Sequence, residues 1–453
     1  MQIQFLGATN TVTGSKHLVS SGKTKILVDC GLFQGYKQLR LRNWEQFPVD
    51  PADIEAVVLT HAHLDHSGYL PILVRDGFRG KIFCSEATYD LCKILLPDSG
   101  RLLEEDADYA NRHGFSKHKP ALPLYTEDDA HRALKFFHPV PFGVRQDVAG
   151  PFTAELHHAG HILGAAIVVL RDQQRTVSFS GDLGRPNDPL LIPPDTIEET
   201  DYLVIESTYG NRVQDASDPA EMLAKTINDT LDRGGVTIIP SFAVGRTQIL
   251  LHYLYQLKEA GKIPSVLPIY VNSPMAVDAT AIYQKHKDEH FMNPDQCHAI
   301  FSVAKMVNSV EDSIWLNQQR RPMVIIAGSG MATGGRVLHH LKAFASDRRN
   351  TILFSGYQAG GTRGAAMLAG ADSIKIHGEY IPLQAHVAQI TNLSAHADRE
   401  EILAWLSHFK SPPKQTFIVH GEPDAADMLR RTIEERKHWR CQVPEYLQKF
   451  ELS

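Results

Sequence analysis

Cysteine is scarce in this chain of 453 residues: there are five, and no two of them form a CxxC pair. A small, odd and scattered set argues against a disulfide framework and against a thiolate zinc site. Any metal bound here is therefore expected to be held by nitrogen and oxygen ligands.

Long apolar runs and an excess of positive charge are also missing. No stretch of about 18 apolar residues occurs, and the start "MQIQFLGATNTVTG" has no basic region followed by an apolar one. We therefore expect no export and no membrane span, and a cytoplasmic location. The formal charge of −6 speaks against coating nucleic acid by bulk charge, so a nucleic-acid enzyme would have to concentrate its positive charge locally.

The length and the 43 % hydrophobic content fit two or three globular domains. The first 208 residues alternate short β-rich runs with turns, and most runs end in Gly, Asp or His. These runs predict strands with polar residues at their ends. They are "QIQFLGA", "KILVDCG", "AVVLTHAH", "KIFCSE", "AIVVLRD", "TVSFSGD" and "YLVIEST".

A different pattern runs from about residue 209 to 391. Three segments, "GGVTIIPSFAVGRTQILLHYLYQL", "RPMVIIAGSGMATGGRVLHHLKAFA" and "NTILFSGYQAGGTRGAAML", each combine an apolar strand, a Gly-rich turn and a helix. Continuous apolar strands followed by helices predict a doubly wound parallel sheet that is covered on both faces. Such turns occur in doubly wound domains simply because the chain must change direction there.

The same three turns are also candidates for binding phosphates, because free N–H groups and the helix dipole at a helix N-terminus favour anions. Each turn carries an arginine at or beside it. Positive charge is therefore concentrated at these turns, although the net charge of the chain is negative. The candidate substrate-binding residues of this region are Arg246, Ser329, Gly330, Gly335, Arg336, Tyr357 and Arg363.

The last segment returns to strand ends that carry histidines, in "NLSAHADREEILAWLSHF" and "KQTFIVHGEP". Either Ser394 or Asp398 is suited to cap the helix after "SAHAD". We therefore predict that residues 1–208 and 392–453 form one domain, into which residues 209–391 are inserted.

The stretch "HAHLDH", residues 61 to 66, places three histidines and an aspartate directly after the apolar run "AVVLT". Neighbouring residues in an extended or tightly turned backbone point in different directions. His61 and His63 can therefore face one metal ion while Asp65 and His66 face another. Each ion still needs further ligands, since zinc with N and O donors takes four or five partners including a water.

Other strand ends offer these ligands. "HHAGHILGAA" contains His157, His158 and His161, and the spacing alone leaves the choice among them open. Asp182 in "FSGDLG" sits on a short turn, where an aspartate can bridge two metals through its two oxygens. "IVHGE" adds His420.

The chain contains eight motifs in the order seen in the β-CASP branch of the metallo-β-lactamase superfamily, and it therefore resembles that branch. They are "TNTVTGS", "VDCG", "HAHLDHSG", "AGHILGAA", "SGDLG", "IESTYG", "SAHAD" and "VHGE". The branch includes the endonuclease subunit of the pre-mRNA cleavage and polyadenylation factor, ribonuclease J and the nuclease Artemis, and this chain looks most similar to compact bacterial relatives of that endonuclease. The resemblance implies an αββα metallo-β-lactamase sandwich with an inserted doubly wound β-CASP domain.

The resemblance also implies roles for single residues. Two zinc ions per chain are expected, bridged by Asp182. Asp29 of "VDCG" resembles the carboxylate that orients a ligand histidine, and Glu206 and His396 resemble an acidic residue paired with a histidine near the scissile bond. The ligands of the first zinc would be His61, His63 and His161, and those of the second Asp65, His66 and His420.

The resemblance implies that this ligand set hydrolyses phosphodiester bonds in single-stranded RNA. A hydroxide between two ions about 3.5–4 Å apart would be the nucleophile, and His396 held by Glu206 the general acid. The products would carry a 5′-phosphate and a 3′-hydroxyl. In the branch that this chain resembles, RNA enzymes carry a histidine at the position that corresponds to His420 of "VHGE", whereas DNA enzymes carry a valine there. His420 therefore favours RNA as the substrate.

Three alternatives are a DNA nuclease of the same branch, a small-molecule hydrolase of the superfamily, and an inactive scaffold. The fold of the superfamily alone does not determine the substrate, because it occurs in enzymes with different substrates. A long Gly-rich insert would be superfluous for a small thioester, and inactive relatives lose metal ligands, whereas no ligand position departs from the pattern here. A homodimer is a further expectation.

Overall fold

The computed structural model describes residues 1–114, 116–215 and 217–453. The chain divides into two compact units, one formed by Met1–Val213 with His396–Ser453 and the other by Gln214–Ala395. The domain boundaries expected at 208 and 391 stay predictions.

The first unit contains two seven-stranded sheets. The strand order is β22-β1-β2-β3-β4-β5-β6 in one sheet and β21-β20-β11-β10-β9-β8-β7 in the other. Each of the seven runs that the sequence predicts as strands contains a strand. The bounds are β1 Gln2–Phe5, β2 His17–Ser21, β3 Thr24–Val28, β4 Ala56–Val58, β5 Lys81–Cys84, β6 Phe137–Pro139, β7 Gln146–Ala149, β8 Phe152–His158, β9 Ala166–Arg171, β10 Thr176–Phe179, β11 Tyr202–Glu206, β20 Gln415–Val419, β21 Cys441–Gln442 and β22 Lys449–Glu451.

The core of this unit lies between the two sheets. One buried cluster joins Ile26 and Val58 of the first sheet to Val168, Phe179 and other residues of the second. Burying these apolar side chains contributes about 25 cal/mol per Å² of surface removed from water. Because both sheets supply alternate residues to the same cluster, their strand ends are held in fixed positions.

Helices pack on both sheets, and α4 and α14 contact strands β6 and β20, one in each sheet. The sequence leaves the cap of α13 open between two residues, and the structure selects Asp398, whose Oδ1 accepts a hydrogen bond from Glu401 N at 2.9 Å. Two 3-10 helices, Arg42–Trp44 and Pro51–Asp53, accompany the α-helices in the described residues of this unit. The helices of this unit are α1 Lys37–Leu41, α2 Leu64–Ser67, α3 Leu70–Arg75, α4 Glu86–His113, α5 Glu127–Leu134, α13 Arg399–Leu406 and α14 Pro423–Lys437.

The second unit is built around a six-stranded parallel sheet with the order β14-β13-β15-β12-β16-β19. Every residue of β12, β13, β15 and β16 is buried, which requires cover on both faces of the sheet. The strands are β12 Val236–Pro240, β13 Ile269–Asn272, β14 Lys305–Met306, β15 Met323–Ala327, β16 Thr351–Phe354, β17 Ser373–Ile376, β18 Glu379–Pro382 and β19 His386–Gln389, and the helices are α6 Pro219–Asp232, α7 Arg246–Glu259, α8 Pro274–Lys285, α9 Pro294–Ser302, α10 Val310–Gln318, α11 Val337–Phe344 and α12 Arg363–Leu368.

The predicted fold class, an αββα sandwich with an inserted doubly wound domain, is therefore confirmed. Within the described parts of the chain, no helix has both the length and the apolar content needed to cross a membrane.

Candidate metal centre

The ligand candidates lie where strands of the first unit end. The "HAHLDH" stretch follows β4 and enters α2, and His161 lies in the loop between β8 and β9. Asp182 follows β10, and His420 follows β20. Two sheets thus bring residues from four separate parts of the chain to one place.

The first group of side chains consists of His61, His63, His161 and Asp182. His63 Nδ1 lies 3.1 Å from His61 Nε2 and 3.2 Å from His161 Nε2. Asp182 Oδ2 lies 3.3 Å from His61 Nε2 and 3.4 Å from His161 Nε2. Four ligand atoms therefore converge on one point.

The second group consists of Asp65, His66 and His420. His66 Nε2 lies 3.2 Å from His420 Nε2, which lies 3.3 Å from Asp65 Oδ2. The other oxygen of Asp182, Oδ1, lies 3.2 Å from His66 Nε2. Asp182 thus turns one carboxylate oxygen toward each group, which is the arrangement of a bridging ligand.

These distances fit metal ions. Ligands about 2.0–2.1 Å from a tetrahedral zinc lie about 3.3 Å from one another, close to the separations between the nitrogen and oxygen atoms of each group. Buried imidazole nitrogens that face one another without a cation or a proton between them repel, because their lone pairs meet. Asp182 Oδ1, which faces the second group, is moreover buried and receives no hydrogen bond. The donor set therefore fits two divalent cations.

The electrostatics of the first group favour a cation. Burial lowers the pKa of His63 to about 3 and that of His161 well below its usual value, so both are neutral imidazoles. Burial alone would raise the pKa of Asp182, but His420 and His66 outweigh it and hold this pKa well below its usual range. Neutral imidazoles and ionised carboxylates are the forms that bind metals.

Asp29 contacts His66 at Nδ1, the ring nitrogen that does not face the second group. Its Oδ2 lies 2.7 Å from His66 Nδ1, and its Oδ1 accepts a hydrogen bond from Thr60 N at 2.7 Å. The Thr60 hydroxyl donates to Asp29 Oδ2 at 2.9 Å and lies 3.1 Å from His61 Nδ1. A carboxylate on Nδ1 leaves Nε2 as the metal-binding nitrogen, so Asp29 is suited to orient His66.

Replacing Asp29 with asparagine is expected to weaken zinc binding by about 10–100-fold, because the charge that orients His66 is lost. Asparagine preserves the backbone, since Asp29 has φ 60 and asparagine adopts this left-handed conformation readily. Competition with a chromophoric chelator measures the affinity. The exposed Asp76→Asn is the matched control, and equal affinities of the two variants would contradict a role for Asp29.

The sequence analysis missed two threonines whose hydroxyls contact candidate ligand histidines. Thr60 directly precedes "HAHLDH", and Thr208 in "IESTYG" has its hydroxyl 3.2 Å from His420 Nδ1. It also missed that His420 has φ 51, a strained conformation for this residue type that is concentrated at functional sites. Adjacency to the ligand motif is the only signal that points to Thr60.

Glu206 and His396 form a pair beside the ligands. His396 Nδ1 lies 3.0 and 3.2 Å from the two oxygens of Glu206. Leu183 N and Thr208 N donate to those oxygens at 2.7 and 3.2 Å, so the carboxylate is fixed. Burial would lower the pKa of His396, but the charges of Glu206 and Asp182 raise it to about 9.

His396 is close to the ligands as well. Its ring centroid lies 4.5 Å from that of His161, and Asp182, Glu206 and His396 form a third group with metal-binding spacing among the described residues. The pair is thus placed to act beside bound ions or as an extra ligand. His157 and His158 belong to none of the three groups: His157 lies 3.2 Å from Glu155, and His158 stacks on Phe142.

The candidate substrate-binding residues lie in the second unit. Their turns follow β12, β15 and β16, which are neighbours in the sheet, so the three turns lie side by side at its carboxyl edge. Position 330 requires glycine, because the Phe242 ring packs so close to its backbone that a Cβ there would lie 2.7 Å from the ring. In sequence order, Arg246 begins α7, Ser329, Gly330, Gly335 and Arg336 lie between β15 and α11, Tyr357 follows β16, and Arg363 begins α12.

Arg336 and Arg363 donate hydrogen bonds to protein acceptors. Arg336 donates to Asn272 Oδ1 at 2.7 Å and to the carbonyl of Asn308 at 2.6 Å. Arg363 donates to the carbonyls of Lys375 at 2.7 Å and Thr333 at 2.9 Å. They therefore shape the turns, and their contact with substrate stays a prediction.

Family models match most of the chain. Residues 13–224 match the metallo-beta-lactamase superfamily, residues 247–367 the Beta-Casp domain, and residues 380–444 the Zn-dependent metallo-hydrolase RNA specificity domain.

Several relatives match over nearly the whole chain. Ribonuclease TTHA0252 of Thermus thermophilus is 36 % identical over 432 residues, which cover 94 % of each protein. Transcription termination factor FttA of Methanocaldococcus jannaschii is 31 % identical and covers 97 % of this chain and 70 % of its own length. An RNase J-like protein of the same organism is 29 % identical, with 93 % of this chain and 92 % of its own length covered.

One solved structure supports the fold alone. A crystal structure of a protein of unknown function from Enterococcus faecalis V583 matches with a TM-score of 0.53 and 13 % identity, over 99 % of each chain.

Proposed function

Because the chain belongs to the metallo-beta-lactamase superfamily and carries its Beta-Casp domain, we propose that it is a metal-dependent ribonuclease that hydrolyses single-stranded RNA with two zinc ions. The observation that carries this proposal is the position of Asp182, with one carboxylate oxygen turned toward each of two ligand groups. Two-metal sites of this kind are typical of phosphodiester chemistry.

RNA is favoured over DNA as substrate by two observations. The relative that is 36 % identical is named a ribonuclease, and the ligand position 420 holds histidine, as in the RNA enzymes of the branch. The inserted unit supports a polymeric substrate over a small molecule, because its three adjacent turns extend over several strands.

In the proposed mechanism the ligand side chains hold the ions and the Glu206–His396 pair moves a proton. When bound, the two ions supply a hydroxide nucleophile at neutral pH and neutralise the charge that develops on the phosphate. His61, His63 and His161 would hold the first ion, Asp65, His66 and His420 the second, and Asp182 both.

The leaving 3′ oxygen of the ribose departs poorly unless it is protonated. Glu206 contacts His396 through Nδ1, so Nε2 is the nitrogen that would donate a proton to this oxygen. Protonation at the 3′ oxygen leaves a 3′-hydroxyl on one product and a 5′-phosphate on the other.

Cleavage of end-labelled oligonucleotides tests the proposal. We expect single-stranded RNA to be cleaved, cleavage to stop when a chelator removes the ions, and zinc to restore it. Metal analysis should find two ions per chain. RNA labelled at the 5′ or the 3′ end separates internal cutting from trimming at an end, and enzymatic ligation identifies the terminal groups.

Other results would favour the alternatives. Cleavage of single-stranded DNA at the same rate as RNA would favour the DNA nucleases of the branch. Hydrolysis of a thioester without cleavage of RNA would indicate a small-molecule hydrolase. A protein with two bound ions and no activity on any of these substrates would be an inactive scaffold. A cytoplasmic location and a homodimer stay predictions, which fractionation and sedimentation test.

A further inference from the structure

A short surface of the first unit combines exposed aromatic and basic side chains. It comprises α1 and the 3-10 turn that follows it, and we call it the 36–44 surface. Tyr36, Leu41 and Trp44 are exposed by 49 %, 52 % and 58 %, an unusual exposure for large apolar side chains. Lys37 and Arg40 are exposed beside them.

The charge of this surface opposes that of the whole protein. Residues 35–45, "GYKQLRLRNWE", contain three basic residues and one acidic residue, whereas the chain has a formal charge of −6. The third basic residue, Arg42, lies over the Tyr446 ring at 4.1 Å, which adds another aromatic group next to the segment. Positive charge is thus concentrated locally, together with flat apolar rings.

Hydrogen bonds connect this surface to the metal centre. Asn43 is buried and pairs with the backbone of Phe33 through two bonds of 2.9 and 2.8 Å. Leu32 N donates to Leu64 O at 2.8 Å, and Cys30 N donates to His66 O at 2.7 Å. The 36–44 surface is therefore attached rigidly to the loop that carries two ligands of the second group.

We propose that the 36–44 surface binds single-stranded RNA outside the metal centre, with bases stacked on Tyr36 and Trp44 and phosphates paired with Lys37 and Arg40. This inference rests on the proposed ribonuclease function. Exposed aromatic rings interleaved with basic residues bind single strands without sequence preference, because every base has a stacking face and every nucleotide a charged phosphate.

The charges favour RNA over a protein partner. A symmetric interface, in which this surface packs on the same surface of a second copy, would bring the basic groups of both close together, which is unfavourable. A polyanion complements them, and the surface is joined to a centre proposed to act on that same polyanion.

The test compares long and short RNA. In wild type, an RNA of about 20 nucleotides should have a lower KM than one of about 4. Combining Tyr36→Ala with Trp44→Ala should raise KM for the long RNA about 10–100-fold, and so remove most of the advantage of length. Combining Lys37→Gln with Arg40→Gln should reduce the salt dependence of kcat/KM by about 1.4 logarithmic units per decade of salt, since two phosphate contacts are lost.

Lys23→Gln combined with Lys135→Gln is the matched control, because both lysines are exposed in the same unit and the charge change is equal. Thermal unfolding and zinc content check that each variant is folded. Variants that keep the length advantage and the salt dependence of wild type would overturn the inference, as would loss of a dimer in sedimentation without any change in KM. If wild type cleaves no RNA at all, the proposed function itself fails.

Discussion

Asparagine in place of Asp182 is expected to lower kcat/KM for RNA by roughly 1000-fold or more. The two oxygens of Asp182 lie 3.3 Å from His61 Nε2 and 3.2 Å from His66 Nε2, so one change affects both ligand groups. Loss of metal from such a site removes several kcal/mol of charge stabilisation in the transition state, and about 1.4 kcal/mol corresponds to a factor of ten. The measurements are initial rates with labelled RNA and the number of bound ions per chain.

The exposed Asp147→Asn is the control for Asp182→Asn, and it should retain full activity and both ions. Asparagine keeps the volume of the aspartate, so a change in the fold is not the expected cause of the loss. Cleavage by Asp182→Asn at the rate of wild type would show that Asp182 does not bridge the ions, and would remove the main support for a two-metal mechanism.

Alanine in place of His396 is expected to lower kcat for RNA by about 100- to 10,000-fold, which is the usual contribution of a general acid. His396 lies against both oxygens of Glu206, a residue that two backbone N–H groups hold in place. A substrate with a p-nitrophenolate leaving group needs no protonation, so the loss should largely disappear with a p-nitrophenyl phosphodiester. Rates with the two substrates therefore separate a general acid from a residue that only supports the fold.

Zinc content decides between two roles for His396, because Asp182, Glu206 and His396 also have metal-binding spacing. A general acid predicts two ions per chain in His396→Ala, whereas a ligand predicts fewer. The exposed His408→Ala is the control and should behave as wild type. An equal loss with both substrates would argue against protonation of the leaving group by His396.

Much of the candidate site follows from residue types at strand ends. "HAHLDH" after β4, Asp182 after β10 and His420 after β20 are polar residues that follow apolar runs, and this pattern predicts them as neighbours at sheet edges. The histidines of "HHAGH" show the limit of the pattern. Spacing did not select His161, because His157 and His158 are also polar and close in sequence.

The inserted unit shows a similar limit. Continuous apolar strands followed by helices correctly predict a covered parallel sheet, since this pattern depends only on local periodicity. The contacts of Arg336 and Arg363 could not be predicted, because their backbone acceptors lie on other elements: Asn308 precedes α10, and Lys375 lies in β17.

The sequence by itself determined the alternation of strands and turns and which residue types, histidine and aspartate, stand at the strand ends as candidate ligands. The family resemblance assigned His161 to the first group and Asp182 to the bridge. Only the tertiary structure decided that one Asp182 oxygen lies beside each group and that the hydroxyls of Thr60 and Thr208 contact His61 and His420. The physical reason is distance: hydrogen bonding and metal binding act over a few ångströms through space, and residues 66 and 420 are brought that close only by the packing of two sheets around a common core.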